Sequence, residues 1–180
     1  MHVGLMTNAL FLCAVNATFM LTGIFFNTVV IVSLKAAAHL RKKTCYFMLN
    51  VLSWFDLVGV IAINPIQILS ACFLYLEDYN ELFEHIRIFT CVLLHGFSMI
   101  ALLMLNIERY LTLLHPIYHR WSVTKKRLKY MLGTMMVSHC IQTALLSLNP
   151  KVLGYILTMV YPCICMLIIG YVSYKIFIIS

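Results

Sequence analysis

Long runs without a charged residue are the feature that most constrains this chain. No Asp, Glu, Lys or Arg falls between Ala9 and Leu34, between Tyr130 and Leu148, or between Val152 and Tyr174. As helix, about 20 apolar residues cross the ~30 Å hydrocarbon core of a bilayer. With 63% hydrophobic and only 11% charged residues, a soluble domain of this size would have nowhere to bury its apolar surplus. The sequence therefore predicts a membrane protein.

Two further apolar runs complete the pattern. Tyr46 to Leu76 holds a single charge, Asp56, and His85 to Leu114 holds Arg87, Glu108 and Arg109 near its ends. Because backbone groups in lipid must be paired within their own segment, and because barrel-type alternation is absent, the runs predict helices. We expect an all-α, polytopic membrane helical bundle with about five transmembrane helices. Residues 1–180 would form a single transmembrane domain, with spans at roughly 8–34, 46–76, 86–114, 129–148 and 152–178.

The basic residues of the connections set the expected orientation. The first connection carries Lys35, Arg41, Lys42 and Lys43, and the third carries Arg120, Lys125, Lys126, Arg127 and Lys129. The positive-inside rule then predicts an extracellular N-terminus and, after five spans, a cytoplasmic C-terminus. The net charge of +7 follows from this topology. The expected partner is therefore the lipid bilayer, and no nucleic-acid role is expected, because the basic residues flank spans.

The cysteine pattern points to neither a zinc site nor a redox motif. Six of the seven cysteines lie in or at the ends of the predicted spans, and Cys45 lies at a cytoplasmic edge. Cys163 and Cys165 are too close together for a zinc or thioredoxin-like motif. We expect free thiols, with palmitoylation as an alternative for Cys45.

An ordered motif closes the third span. Glu108, Arg109 and Tyr110 form an acid–Arg–Tyr triplet, with Pro116 seven residues after the arginine and Ser98 eleven residues before it. This set resembles the rhodopsin-like (class A) G-protein-coupled receptors, a seven-helix fold of which the chain would supply the first five spans. The resemblance implies that Glu108 holds Arg109 at rest and that Arg109 turns toward the G protein in the active state. It also implies G-protein contacts for Pro116 and Ile117.

The other spans are similar to the same family. Gly23 and Asn27 resemble its first-span pattern, Asp56 its second-span acid, and Pro65 and Pro162 its second-span and fifth-span prolines. The resemblance implies a polar network of Asn27, Asp56 and Ser98 inside the bundle. It further implies a sodium ion held by Asp56 and Ser98, with no other cofactor. The alternative for Asp56 is a protonated acid in a water-filled polar pocket, since a charge near mid-span is costly.

The chain also departs from the family. Glu84 stands where the family has its extracellular disulfide cysteine, the fourth-span tryptophan is absent, and the sequence stops at Ser180, before a sixth span. Cys91 stands where amine receptors carry an aspartate, so an amine ligand is not expected. The ligand pocket is predicted around Cys91, His95 and Thr158, although a lone histidine on an apolar face is more often packed or bonded to water than in contact with a ligand.

The resemblance implies a plasma-membrane receptor that binds an unknown extracellular ligand and signals to heterotrimeric G proteins. The chain is expected to be an incomplete or truncated form. Two alternatives stay open. Intramembrane Asp56 and His95 are also typical of a transporter or channel segment, and a non-signalling fragment would pair with full-length receptors in a receptor dimer. No enzyme is expected, because no nucleophile–base set, phosphate loop or metal-ligand spacing is present.

Overall fold

A computed structural model of the chain describes residues 2–37, 43–76, 80–148 and 152–179. Within these ranges, the side chains of residues 2–8, 74–75, 146–148, 152–161 and 179 lie outside the description. The described residues form helices and no strand, which confirms the all-α prediction. In chain order the helices are α1 His2–Ala36, α2 Thr44–Tyr75, α3 Glu81–Leu114, α4 Pro116–Ser122, α5 Lys125–Leu148 and α6 Val152–Ile179.

Three of these helices are long and apolar enough to cross a membrane. They are Ala9–Ala36 in α1, Thr44–Phe73 in α2 and the whole of α3, Glu81–Leu114. The described apolar part of α6 is shorter, Pro162–Ile178. Lys129, His139 and other polar side chains lower the hydropathy of α5. Three apolar helices support membrane association, while the count of five spans stays a prediction.

The short helix α4 is an addition to the sequence prediction, which had only a connection between the third and fourth spans. His115 ends α3 and precedes Pro116, the first residue of α4. A residue before proline is disfavoured in the α region, whereas proline itself fits the first turn of a helix. The pair His115-Pro116 therefore ends one helix and starts the next.

Helix α3 is the centre of the bundle. It packs against α2, α4, α5 and α6, whereas α1 packs mainly on α2. The contacts between α1 and α2, between α2 and α3, and between α3 and α5 are antiparallel. The apolar core joins α2, α3 and α5 near one end and consists of Met48, Ile100, Met104, Leu105, Leu128 and Leu132.

That end of the bundle is rich in basic residues, and we call it the basic end. It collects the C-termini of α1 and α3, the N-termini of α2 and α5, and α4. The ammonium of Lys35 lies 5.7 Å from the Trp54 ring, and that of Lys129 lies 5.6 Å from the Phe47 ring. At the opposite end, Asn80 caps α3 by accepting a hydrogen bond from the Phe83 amide at 3.1 Å.

Polar side chains in the apolar helices are paired mainly with their own backbone. Asn16, Thr18 and Asn27 each donate to the carbonyl four residues earlier, at 2.8–2.9 Å. Large apolar side chains such as Phe26 of α1 and Leu167 of α6 point away from the other helices, at 65% and 74% exposure. Internal pairing of polar groups and apolar outer faces are both what lipid requires.

Candidate functional site

The acid of the Glu-Arg-Tyr triplet is one of the most deeply buried polar groups in the described structure. Glu108 is 2% exposed and sits at the basic end of α3. Its Oε1 accepts a hydrogen bond from the hydroxyl of Thr44, at the start of α2. The Nε2 atom of His119, in α4, lies 3.0 Å from the same oxygen, and the Thr112 hydroxyl donates to it at 3.3 Å. One carboxylate thus joins α2, α3 and α4.

Arg109 points elsewhere. Its side chain is exposed at the basic end. No ion pair joins Glu108 to Arg109 in the part of the chain that the structure describes. The resting-state pairing that the resemblance implies is therefore replaced here by His119 and Thr44 as the partners of Glu108.

The remaining residues of the predicted signalling surface lie at the same end of the bundle, where α3 ends and α4 begins. The Tyr110 ring is 6.1 Å from that of His115, where α3 meets α4. Pro116 opens α4, and Ile117 is 79% exposed at the second position of the helix. An exposed guanidinium and an exposed apolar side chain therefore share the surface of the basic end.

A second group of predicted residues lies around one cavity of about 480 Å³ between α1, α2 and α3. Asn27, Asp56 and Ser98 all line it, one from each helix. His95 lines the same cavity from α3, as Ser98 does. The structure thus brings together the three residues of the predicted polar network.

The cavity offers oxygen atoms as acceptors. The side-chain amides of Asn27 and Asn64 donate hydrogen bonds to the backbone carbonyls of Gly23 and Val60, at 2.9 and 3.0 Å. Both residues line the cavity with Asp56, so two amide oxygens and one carboxylate are the acceptors that these side chains can offer there. Hard oxygen ligands of this kind suit a small cation such as sodium. No group of three or more His, Cys, Asp or Glu side chains that could hold a metal ion occurs among the described residues.

The predicted ligand pocket falls in two parts. His95 lines the cavity, and its Nδ1 is 2.9 Å from the Cys91 carbonyl oxygen. The Cys91 sulfur accepts a hydrogen bond from Gln67 at 3.4 Å. The backbone of Thr158 belongs to α6, but its side chain lies outside the described residues, so its place in the pocket stays a prediction.

The polar groups continue from the cavity toward the end opposite the basic end. Gln67 lines the cavity and also accepts a hydrogen bond from Arg87 at 3.3 Å. Arg87 in turn pairs with Glu84, one turn earlier on α3. The position that holds a cysteine in the resembled family thus carries the ion-pair partner of an arginine.

Several of these contacts were not predicted from the sequence. Thr44, His119 and Gln67 are separated from their partners by 64, 11 and 20 residues, and no motif links them. His139 is a further example: it is 7% exposed on α5, and its Nε2 is 3.2 Å from the Val92 carbonyl oxygen of α3. The one available signal was Gly96 on α3, since a missing side chain can admit a close neighbour.

In comparisons with known proteins, no family model and no curated relative matches this sequence significantly.

Proposed function

We propose that this protein is a membrane receptor of the rhodopsin-like class, which couples an extracellular ligand to a heterotrimeric G protein through Glu108, Arg109 and Tyr110. The observation that carries the proposal is the state of the triplet. Glu108 is buried and held by α2 and α4, whereas the adjacent Arg109 is exposed at the basic end. A buried carboxylate is costly and is retained where it has partners.

In this arrangement Glu108 and Arg109 have different roles. Glu108 fixes α4 and the start of α2 against α3, which gives the basic end a defined shape. Arg109 presents five N–H donors at the basic end, and Ile117 presents an exposed apolar side chain at the same end. A donor-rich cation beside an apolar surface suits the carbonyl-rich C-terminus of a partner helix, where the helix dipole is negative.

The proposed orientation places the basic end in the cytoplasm. Lys35, Lys129 and the residues of α4 share this end, and Glu84 with Arg87 marks the other. The excess of basic residues on one side supports a cytoplasmic location for it, with the N-terminus extracellular and the plasma membrane as the host. All five predicted spans belong to this proposal.

The cavity gives the receptor an ion site. Asp56, Ser98 and the amide oxygens of Asn27 and Asn64 would hold a sodium ion, which would supply a positive charge to balance the carboxylate within the bundle. The residues fit because they present oxygen atoms from all three helices. His95, at the same cavity, would then contact the extracellular ligand or the water around it.

The test of the proposal is G-protein activation in cells. The full-length protein is expressed with dissociation sensors for a panel of heterotrimers, and ligand-independent activation is measured against expression level. We expect one or more heterotrimers to respond, and Arg109→Ala to abolish the response. Arg120→Ala is the matched control, because Arg120 is also an exposed arginine at the basic end, on α4. Equal responses from both variants would contradict the assigned role of Arg109.

The cavity also favours a second candidate, a transporter or channel segment. An aspartate and a histidine that face one polar cavity within apolar helices are typical of an ion path. Liposomes that contain the purified protein and a sodium-sensitive or pH-sensitive dye separate the two functions. If the protein is a receptor, the dye signal should change at the same rate as in empty liposomes. If it conducts ions, the signal should change faster, and Asp56→Asn should return the rate to that of empty liposomes.

A further inference from the structure

A groove of about 530 Å³ runs along an exposed face of α5, and we call it the α5 groove. All of its lining residues belong to α5, and each of their side chains is exposed. The residues that shape it are Lys129, Tyr130, Gly133, Thr134, Val137 and Ile141. The α5 groove therefore shares no residue with the cavity around Asp56 or with the triplet.

The shape of the groove follows from side-chain size at helical spacing. Residues three or four positions apart share one face of a helix. On this face Gly133 has no side chain, and nothing lies within 4 Å of the position that its Cβ would take. Tyr130 stands on one side of this gap, and Val137 and Ile141 stand on the other. The Thr134 hydroxyl donates to the carbonyl three residues earlier at 2.9 Å, so its donor is already paired and an apolar chain can lie over it.

The groove opens at the basic end, where its charge is positive. Lys129 lines it, and Lys126 and Arg127 lie within one turn of that lysine. None of these three side chains pairs with a carboxylate in the part of the chain that the structure describes. The ammonium of Lys129 lies 5.6 Å from the Phe47 ring, a contact that orients the cation without neutralising its charge. An anion is therefore the charge complement of the groove at this end.

The length of the groove matches the depth of one leaflet of a bilayer. From Lys129 to Ile141 the helix rises by about 18 Å, and half of the hydrocarbon core is about 15 Å deep. In the orientation proposed above, Lys129 would lie at the level of the cytoplasmic headgroups and Ile141 near the middle of the membrane. The cytoplasmic leaflet is the one that carries anionic lipids such as phosphatidylserine.

A second copy of the chain complements the groove less well than a lipid does. Two copies in one membrane have the same orientation, and a two-fold pair uses the same face of both. Lys129 of one copy would then approach Lys129 of the other, with Lys126 and Arg127 adding to the positive charge on each side. Like charges repel most strongly where water is scarce. A negative headgroup removes this repulsion.

We propose that the α5 groove binds an anionic phospholipid, with the headgroup phosphate at Lys129 and one acyl chain along Gly133, Val137 and Ile141. The choice of the cytoplasmic leaflet rests on the orientation given under the proposed function, whereas the lipid site itself does not depend on G-protein coupling.

The test measures lipid binding to the purified full-length protein by native mass spectrometry in mild detergent. Phosphatidylserine and phosphatidylcholine with the same acyl chains are titrated separately, and glycerophosphoserine supplies the headgroup without the chains. We expect phosphatidylserine to bind about tenfold more tightly than either of the others, because it alone offers both a net negative charge and acyl chains. Equal affinities for the two phospholipids, or for phosphatidylserine and its free headgroup, would overturn the proposal.

Two variants locate the site. Lys129→Gln should weaken the binding of phosphatidylserine about fivefold, and Gly133→Leu, which fills the groove, should weaken it at least as much. Lys175→Gln is the control for the first variant, because the Lys175 ammonium also lies beside an aromatic ring, 5.9 Å from that of Tyr171 on α6. Gly170→Leu is the control for the second, because nothing lies within 4 Å of a Cβ added there either. Both controls should bind as the wild type does, and an equal loss in a variant and its control would overturn the assignment to α5.

The same spectra report the other occupants. A dimer that Gly133→Leu disrupts and Gly170→Leu preserves would assign the groove to a second copy and overturn the proposal. Cholesterol that binds more tightly than phosphatidylserine and is lost in Gly133→Leu would do the same in favour of a sterol. G-protein coupling is read from sensors in cells, so groove-dependent lipid binding without coupling contradicts only the receptor function, and coupling without it contradicts only the lipid site.

Discussion

Gly96 is the position where the structure makes its sharpest prediction about stability. A Cβ added to this α3 residue would lie 1.9 Å from Nε2 of His139 and 2.4 Å from its Cε1. The imidazole has little freedom to move aside. It is 7% exposed, it lies 3.2 Å from the Val92 carbonyl oxygen, and its ring is 5.9 Å from that of Phe97.

The magnitude follows from three effects of Gly96→Ala. Overpacking of a filled interior costs about 1–3 kcal/mol. Loss of the hydrogen bond between the ring and Val92 costs about 1 kcal/mol, and the higher helix propensity of alanine returns about 1 kcal/mol. The matched control is Gly133→Ala on α5, where nothing lies within 4 Å of the added Cβ. Because propensity cancels between the two variants, we expect Gly96→Ala to be less stable than the control by about 2–4 kcal/mol.

The assay is unfolding of the purified protein in mild detergent, by denaturant titration and by thermal melting, with both glycine variants run beside the wild type. Removal of the ring should relieve the clash, so Gly96→Ala combined with His139→Ala should cost less than the sum of the single changes. Equal stability of Gly96→Ala and Gly133→Ala would refute the packing of α3 on α5 described here.

Two further predictions concern the sites. Sodium should raise the melting temperature of the protein more than potassium does, because a bound ion stabilises the folded state by mass action. Asp56→Asn should remove this difference between the two ions. An unchanged difference would exclude Asp56 as a ligand. His119→Ala should loosen α4, because Glu108 is the contact that ties His119 to α3. The hydrogen-exchange rate of residues 116–122 should then rise at least tenfold. Tyr118→Ala, which changes an exposed ring on the same helix, should leave the rate unchanged. Equal protection in both variants would count against the Glu108–His119 contact.

The helices were predictable because the physics that sets them is local in sequence. An uncharged run can be seen by inspection, and each of the five predicted segments overlaps one long helix. For example, the segment expected at 8–34 lies within α1, which spans His2–Ala36. The crossing of a membrane by the fourth and fifth segments was harder to judge. The hydropathy of α5 is lowered by Lys129 and His139, so composition alone does not mark it as a span.

The contacts that define the site could not be predicted from the sequence in the same way. Asn27, Asp56 and Ser98 were grouped by resemblance, and the structure places all three around one cavity. His119 and Thr44 were missed as partners of Glu108, because their approach depends on how α4 and α2 pack on α3. The resemblance implied an ion pair between Glu108 and Arg109, yet successive residues on a helix point in different directions.

The central claim is that the exposed arginine of the triplet engages a G protein, and binding tests it most directly. The full-length protein is placed in lipid nanodiscs, and the association of nucleotide-free heterotrimers from each G-protein class is measured by interferometry. The account predicts saturable binding of at least one class, weakened at least tenfold by Arg109→Ala, about 1.4 kcal/mol or more, and unchanged by Arg120→Ala. Binding that is indifferent to Arg109, or no binding from any class, would contradict it.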